Sequence, residues 1–258
     1  MRYFLMILLG AKSLITLAQL TTLDDKNEAF TRTVYVTGGD TLPYRLLYPV
    51  NYDARKKYPL VLFLHGNGER GNDNNRTLLR VPASLTSPSG RQTYSCFVVV
   101  PQCPKNQVWV SFPNFPNSLQ TSAQLTSPAQ LTLALVDQLM SRLPIDRNRL
   151  YVTGYSSGGE GTFDLLTRKP DLFAAGIPIC SVGDTSRASR IASIPIWAFH
   201  GSADNVNPVI YSRLMVAALR KRGGQPKYTE YPGLGHNIVD TVYTESTLFE
   251  WLFAQKKR

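Results

Sequence analysis

The chain has little of what metal and cofactor proteins use: its 258 residues include three histidines and three cysteines. No histidine pair falls at helical ligand spacing, and Cys96, Cys103 and Cys180 form no cluster, so neither a metal site nor a cofactor is expected. Long apolar runs are scarce as well. The one near the start, Tyr3 to Leu17, is interrupted by Lys12 and falls short of the roughly 20 residues that a spanning helix needs. With Met1-Arg2 before it and Thr16-Leu17-Ala18 at its end, it reads as a secretory signal peptide over residues 1–18. Gln19 is then the expected first residue of a secreted or periplasmic product with no membrane anchor. The absence of a cysteine near that cleavage site argues against a bacterial lipoprotein anchor. The formal charge is +10, about +8 without Arg2 and Lys12. Its basic residues are scattered, with no patch or aromatic-basic motif, so a nucleic-acid partner is not expected. The closing Lys256-Lys257-Arg258 is expected at a helix C-terminus, where cations complement the dipole. An exported chain with three cysteines has room for one disulfide and one thiol. Cys103 and Cys180, which follow different strands, are one candidate pair, and the choice stays open.

A 43% apolar composition over this length supports one large core. Strand and helix patterns alternate without a long linker, so residues 19–258 are expected to form a single α/β domain with a mostly parallel central sheet and helices on both faces. Thr31 to Thr37 and Thr41 to Tyr48, joined by Gly38-Gly39-Asp40, read as a leading antiparallel pair. Leu60 to Leu64, Cys96 to Val100, Leu150 to Thr153, Ala174 to Ile179, Ile194 to Phe199 and Lys227 to Tyr231 read as further strands. Helical spacing appears over Pro128 to Ser141, Thr162 to Arg168 and Glu245 to Phe253. It appears again over Asn207 to Arg222, where Ile210, Leu214 and Ala217 or Ala218 share one face. Pro104 to Gln124 has little periodicity and carries Trp109, Phe112 and Phe115. It reads either as a small cap walling a pocket or as an aromatic loop packed on the sheet edge. No separate lid domain fits the length.

The pattern richest in chemistry is Gly154-Tyr155-Ser156-Ser157-Gly158, which follows the strand Leu150 to Thr153 and opens a helix. Strand, sharp turn and helix are the setting of a nucleophile elbow, with Ser156 as nucleophile. Gly158 and Gly159 let the helix approach the strand. A carboxylate, Asp204, follows the strand Ile194 to Phe199, and His236 lies on the loop after Lys227 to Tyr231. The order serine, aspartate, histidine is that of an α/β-hydrolase. A hydroxyl becomes nucleophilic when an imidazole takes its proton, and the carboxylate fixes the tautomer of that imidazole. The remaining histidines, His65 and His200, each precede a glycine at a strand end and are expected to hold turns. The glycine-rich loop from His65 to Gly71 is expected to supply one oxyanion-hole amide, from Asn67 or Gly68, with the second from Ser157. The same loop ends without the lysine and hydroxyl residue of a phosphate-binding loop. Trp109, Glu69 and Glu160 are candidates for lining the substrate pocket.

His65 to Gly71, Pro101-Gln102-Cys103-Pro104, Gly154 to Gly159, Pro178-Ile179-Cys180 and His200 to Asp204 together resemble the exported carboxylesterase and predicted-peptidase group of α/β-hydrolases. This group is related to polyhydroxybutyrate depolymerases, feruloyl esterases and acetyl xylan esterases. The resemblance spans most of residues 30–255. It implies a serine hydrolase with Ser156, Asp204 and His236 as its triad, acting on small-molecule or polysaccharide-linked esters. Two positions depart from that group, which commonly has methionine in place of Ser157 and glycine or an aromatic residue in place of Glu160. The elbow is therefore more polar than expected. A peptidase with the same triad is the competing reading, and a non-catalytic binder on the same scaffold is a third. The oligomeric state is left open.

Overall fold

The computed structural model describes residues 26–257, so the signal-peptide expectation for residues 1–18 lies outside the described residues. Eight strands form one sheet: β1 (Phe30–Thr37), β2 (Asp40–Leu47), β3 (Tyr58–Leu64), β4 (Phe97–Pro101), β5 (Ile145–Tyr155), β6 (Ala175–Ile179), β7 (Trp197–Gly201) and β8 (Lys227–Tyr231). Their order across the sheet is β1-β2-β4-β3-β5-β6-β7-β8. β1 and β2 pair antiparallel from Phe30 opposite Leu47 to Thr37 opposite Asp40, and β2 joins β4 antiparallel. From β4 to β8 every neighbouring pair is parallel.

Parallel strands buried on both faces need apolar residues at successive positions, and β3 and β4 are buried throughout. Period-two alternation then divides their side chains between two cores. Leu60, Leu62 and Leu64 point into one, with Leu135, Val136 and Leu139 of α3 (Ser127–Arg142), Phe163 and Leu166 of α4 (Ser157–Arg168) and Met215 and Leu219 of α5 (Ile210–Lys221). Val61 and Phe63 point into the other, with Val242 of α6 (Val239–Tyr243) and Leu248, Phe249 and Leu252 of α7 (Leu248–Ala254). Two short helices, α1 (Ala83–Thr86) and α2 (Pro88–Thr93), precede β4. The chain therefore has an α/β-hydrolase architecture, and no separate lid is present among the described residues.

Three expectations need correction. Ile210 and Leu214 do share a face of α5, but that face looks outward, 47% and 44% exposed, while Ser212, Met215, Val216 and Leu219 face the core. The expected last helix is α7, which begins three residues after Glu245, and the short α6 precedes it. α7 ends at Ala254, so Lys256 and Lys257 lie beyond its last turn: the Lys257 N–H donates to the Asn148 carbonyl and its ammonium to that of Asp171. No disulfide forms either. All three cysteines are buried and free, with Cys103 in one core and Cys96 and Cys180 in the other.

Candidate active site

β5 runs into the elbow at Tyr155, and the next residue, Ser156, adopts φ 56° and ψ −121° before α4 begins. Positive φ is strained for any residue with a β-carbon, so the surroundings must hold it. The Ser156 N–H donates to the Ile179 carbonyl of β6 at 2.8 Å, and its own carbonyl accepts from the Glu160 N–H at 3.0 Å. The close approach of α4 explains Gly158, since a β-carbon there would collide with the Leu64 carbonyl of β3.

The loops after β7 and β8 bring two more side chains to this point. Nε2 of His236 lies 2.9 Å from Ser156 Oγ, and Nδ1 lies 2.7 Å from Asp204 Oδ2. The two loops brace each other through the Ala203 N–H on the Leu234 carbonyl at 2.9 Å. Burial works against the Asp204 carboxylate, but the His236 hydrogen bond and the N–H groups of Asn207 and Val206 outweigh it and hold the carboxyl below its usual range. It is thus anionic at neutral pH, as a partner for an imidazolium must be. The Tyr155 hydroxyl donates to the His236 carbonyl at 3.1 Å and fixes the histidine from its backbone side.

His65 and His200 are buried supports. His65 Nε2 accepts from the Cys103 N–H at 3.0 Å, so Nδ1 carries the proton and donates to the Gly66 carbonyl at 2.6 Å. Burial lowers this imidazole to about 4, keeping it neutral. His200 lies between Ser212 Oγ and the Asn207 carbonyl, with Nε2 3.1 Å from Asp204 Oδ2, and burial lowers its pKa as well.

Asn67–Glu69 forms a tight helical turn after Gly66, and Ser157 is the first residue of α4. N–H groups in a first turn have no partner within the helix, so the amides of Asn67, Gly68 and Ser157 have no helical acceptor. Glu69 folds back over Gly66; burial raises its carboxyl, with backbone N–H groups opposing. Glu160, one turn into α4, borders a crevice with Phe112, Phe163 and Val182. Its Oε1 is 3.5 Å from Asn207 Nδ2, and burial pushes its carboxyl up to about 7. Trp109, a candidate for lining the pocket, is a core residue: it is 2% exposed and donates from Nε1 to the His65 carbonyl at 3.0 Å. Phe112 also packs on the core, whereas Phe115 is exposed against Tyr211.

Residues that the sequence reading missed join the site through backbone contacts. Asn207 gives its N–H to Asp204 and its side-chain amide to the Cys180 carbonyl at 2.9 Å, and its spacing of three from Asp204 was the available signal. Tyr155 and Cys180 stood in the motifs of the family resemblance, but nothing in the sequence signalled their contacts with the His236 carbonyl. A hollow of about 480 Å³ lies away from this site, at the far end of α4 among Leu133, Arg168, Asp171 and Arg190. The groups that can do chemistry are at the sheet's C-terminal edge, with exposed Val206 and Leu234 close in sequence to Asp204 and His236.

A mostly parallel sheet with a serine on a strained strand-to-helix turn defines an α/β-hydrolase. Within that class the chain belongs to the phospholipase/carboxylesterase family, which matches residues 49–246. A thermostable esterase of known structure is 37% identical with a TM-score of 0.83, over 89% of this chain and 64% of that one. A probable SOBER1-like carboxylesterase from Arabidopsis thaliana is 26% identical, over 73% of this chain and 77% of its own. A ferulic acid esterase from Anaeromyces mucronatus is 16% identical with a TM-score of 0.60, over 83% and 88%, a likeness of fold. An uncharacterized secreted protein of Arthroderma benhamiae is 24% identical over 78% of this chain, which spans about a quarter (24%) of that protein's length.

Proposed function

We propose that the protein is a serine carboxylic ester hydrolase working through an acyl-enzyme. The single observation that carries this is the unbroken hydrogen-bonded chain from Ser156 Oγ through His236 to Asp204, 2.9 and 2.7 Å long. In this reading His236 Nε2 takes the Ser156 proton as Oγ attacks the ester carbonyl. Asp204 holds Nδ1–H and stabilises the imidazolium. The oxyanion is met by the Ser157 amide and by that of Asn67 or Gly68. His236 then protonates the departing alcohol, and a water activated by the same imidazole releases the acid.

Exposed Val206 and Leu234, within two residues of Asp204 and His236, favour an apolar acyl group, and small aliphatic or aromatic acyl groups on bulky alcohols, including polysaccharides, are the substrate class of this reading. A bifunctional acetylxylan esterase/xylanase of Neocallimastix patriciarum, 32% identical over 84 residues (32% of this chain, 12% of its own), agrees with that substrate class. Export through residues 1–18, ahead of one catalytic domain, is part of the same proposal. Hydrolysis of p-nitrophenyl acetate, with feruloyl and longer acyl esters alongside peptide anilides, tests it. Turnover of esters with loss of fluorophosphonate labelling in Ser156→Ala is the expected result, and preference for anilides would replace it with a peptidase.

A further inference from the structure

Behind the imidazole stands a side chain that ester hydrolysis does not use. Cys180 follows β6, and its Sγ lies 3.4 Å from the His236 carbonyl. Four described non-glycine residues have positive φ, and two are asparagines, which tolerate it. The others are Ser156 and Cys180, at 56° and 48°, so the fold holds both side chains of this one site against backbone preference. Cys180 Sγ, an Asp204 carboxylate oxygen and a His236 ring nitrogen all lie within 4.8 Å of one another.

We propose that Cys180, Asp204 and His236 form an inhibitory site for a thiophilic divalent cation, Zn2+ being the one that fits the donor set. Zinc takes thiolate, imidazole and carboxylate ligands in tetrahedral geometry, with three protein groups leaving a fourth position for water. Bond lengths of about 2.0 to 2.3 Å put ligand atoms roughly 3.3 to 3.6 Å apart. The Asp204–His236 pair therefore opens by less than an ångström while the sulfur closes in. Burial favours the protonated thiol, so hard cations that prefer oxygen gain nothing from it, whereas an ion that binds sulfur displaces the proton.

The consequence for the base follows from its tautomer. In the resting site Nδ1–H donates to Asp204 and Nε2 accepts from Ser156. Zinc takes the Nδ1 lone pair, the ring proton moves to Nε2, and Nε2 then donates to Ser156 Oγ and accepts no proton from it. The Cys180 thiol proton leaves to solvent, and sulfur and metal undergo no redox change.

Binding itself does not depend on the ester-hydrolase reading; only the inhibition does, and the test separates the two. The full chain is stripped with EDTA, exchanged into metal-free buffer and titrated with Co2+ as a spectroscopic stand-in for Zn2+. A near-ultraviolet thiolate-to-cobalt band that disappears in Cys180→Ala and Cys180→Ser, both checked for native circular dichroism, is the expected result. In parallel, micromolar Zn2+ should stop p-nitrophenyl acetate hydrolysis reversibly with EDTA, Mg2+ and Ca2+ should not, and both variants should need at least about tenfold more zinc. Absence of the thiolate band, or equal zinc sensitivity of wild type and variants, overturns the proposal. A band without esterase turnover leaves the site standing and removes the hydrolase reading instead.

Discussion

Ser156 is placed by its neighbours more than by its own preference, since a left-handed φ is tolerated only because Ile179 and Glu160 hold its two backbone groups. Replacing it with alanine keeps that backbone and removes only the oxygen that His236 contacts. The expected outcome is a fall in kcat of about 10⁵-fold or more with an unchanged thermal midpoint, measured on p-nitrophenyl acetate. Asp204→Asn should cost about 10⁴-fold, because an amide no longer selects the Nδ1–H tautomer. Glu160 supports a pH prediction. Its carboxyl titrates near 4.5 when unfolded and is pushed up to about 7 in the fold, chiefly by burial, with the Asn207 hydrogen bond opposing. Between those values the folded state binds more protons than the unfolded state, so this group's contribution is fully present below about pH 4.5 and is lost as pH rises through 7. Glu160→Gln should therefore be more stable than wild type at pH 8, by up to about 3 kcal/mol, with the gap closing towards pH 4.5. Denaturant midpoints at the two pH values check it, and a gap independent of pH would mean that the carboxyl is not buried in its charged form.

At the scale of the element, the runs Pro59 to Leu64 and Phe97 to Val100 announce buried parallel strands because both faces are apolar, and the structure agrees to within a few residues. Ser156, Asp204 and His236 were legible for a related reason: each stands just beyond a strand, so strand recognition alone puts them on one edge. Asn207, Tyr155 and Cys180 act through backbone groups that exist only once the loops are folded, and sequence spacing carries almost no trace of that. α5 illustrates the limit differently. Ile210 and Leu214 repeat at helical spacing, but so do Met215 and Leu219, and the choice of inward face is made by the sheet rather than by the helix. Met215 is fully buried and Leu214 is 44% exposed. Met215→Ala should destabilise the fold by about 2 to 4 kcal/mol and Leu214→Ala by less than about 0.5 kcal/mol, read from urea midpoints. Reversal of that order would place the buried face where periodicity alone put it.

For the molecule as a whole, the sheet divides the interior into two compartments, and this decides the fate of the thiols. Cys103 lies on one side of it, and Cys96 and Cys180 lie on the other. The sheet stands between Cys103 and the other two, which accounts for the absence of the candidate Cys103–Cys180 pair. Burial pushes all three thiols up to about 12, so almost no thiolate exists at neutral pH to be oxidised or alkylated. The fold thus protects its cysteines by packing rather than by pairing. The folded protein should give almost no reaction with Ellman's reagent over minutes, and all three thiols should react at once in concentrated guanidinium chloride. Dithiothreitol should leave the thermal midpoint unchanged, since no cross-link is there to lose. A midpoint that falls on reduction, or fewer than three titratable thiols after denaturation, would mean that a disulfide has formed and that the two compartments are less separate than the sheet makes them.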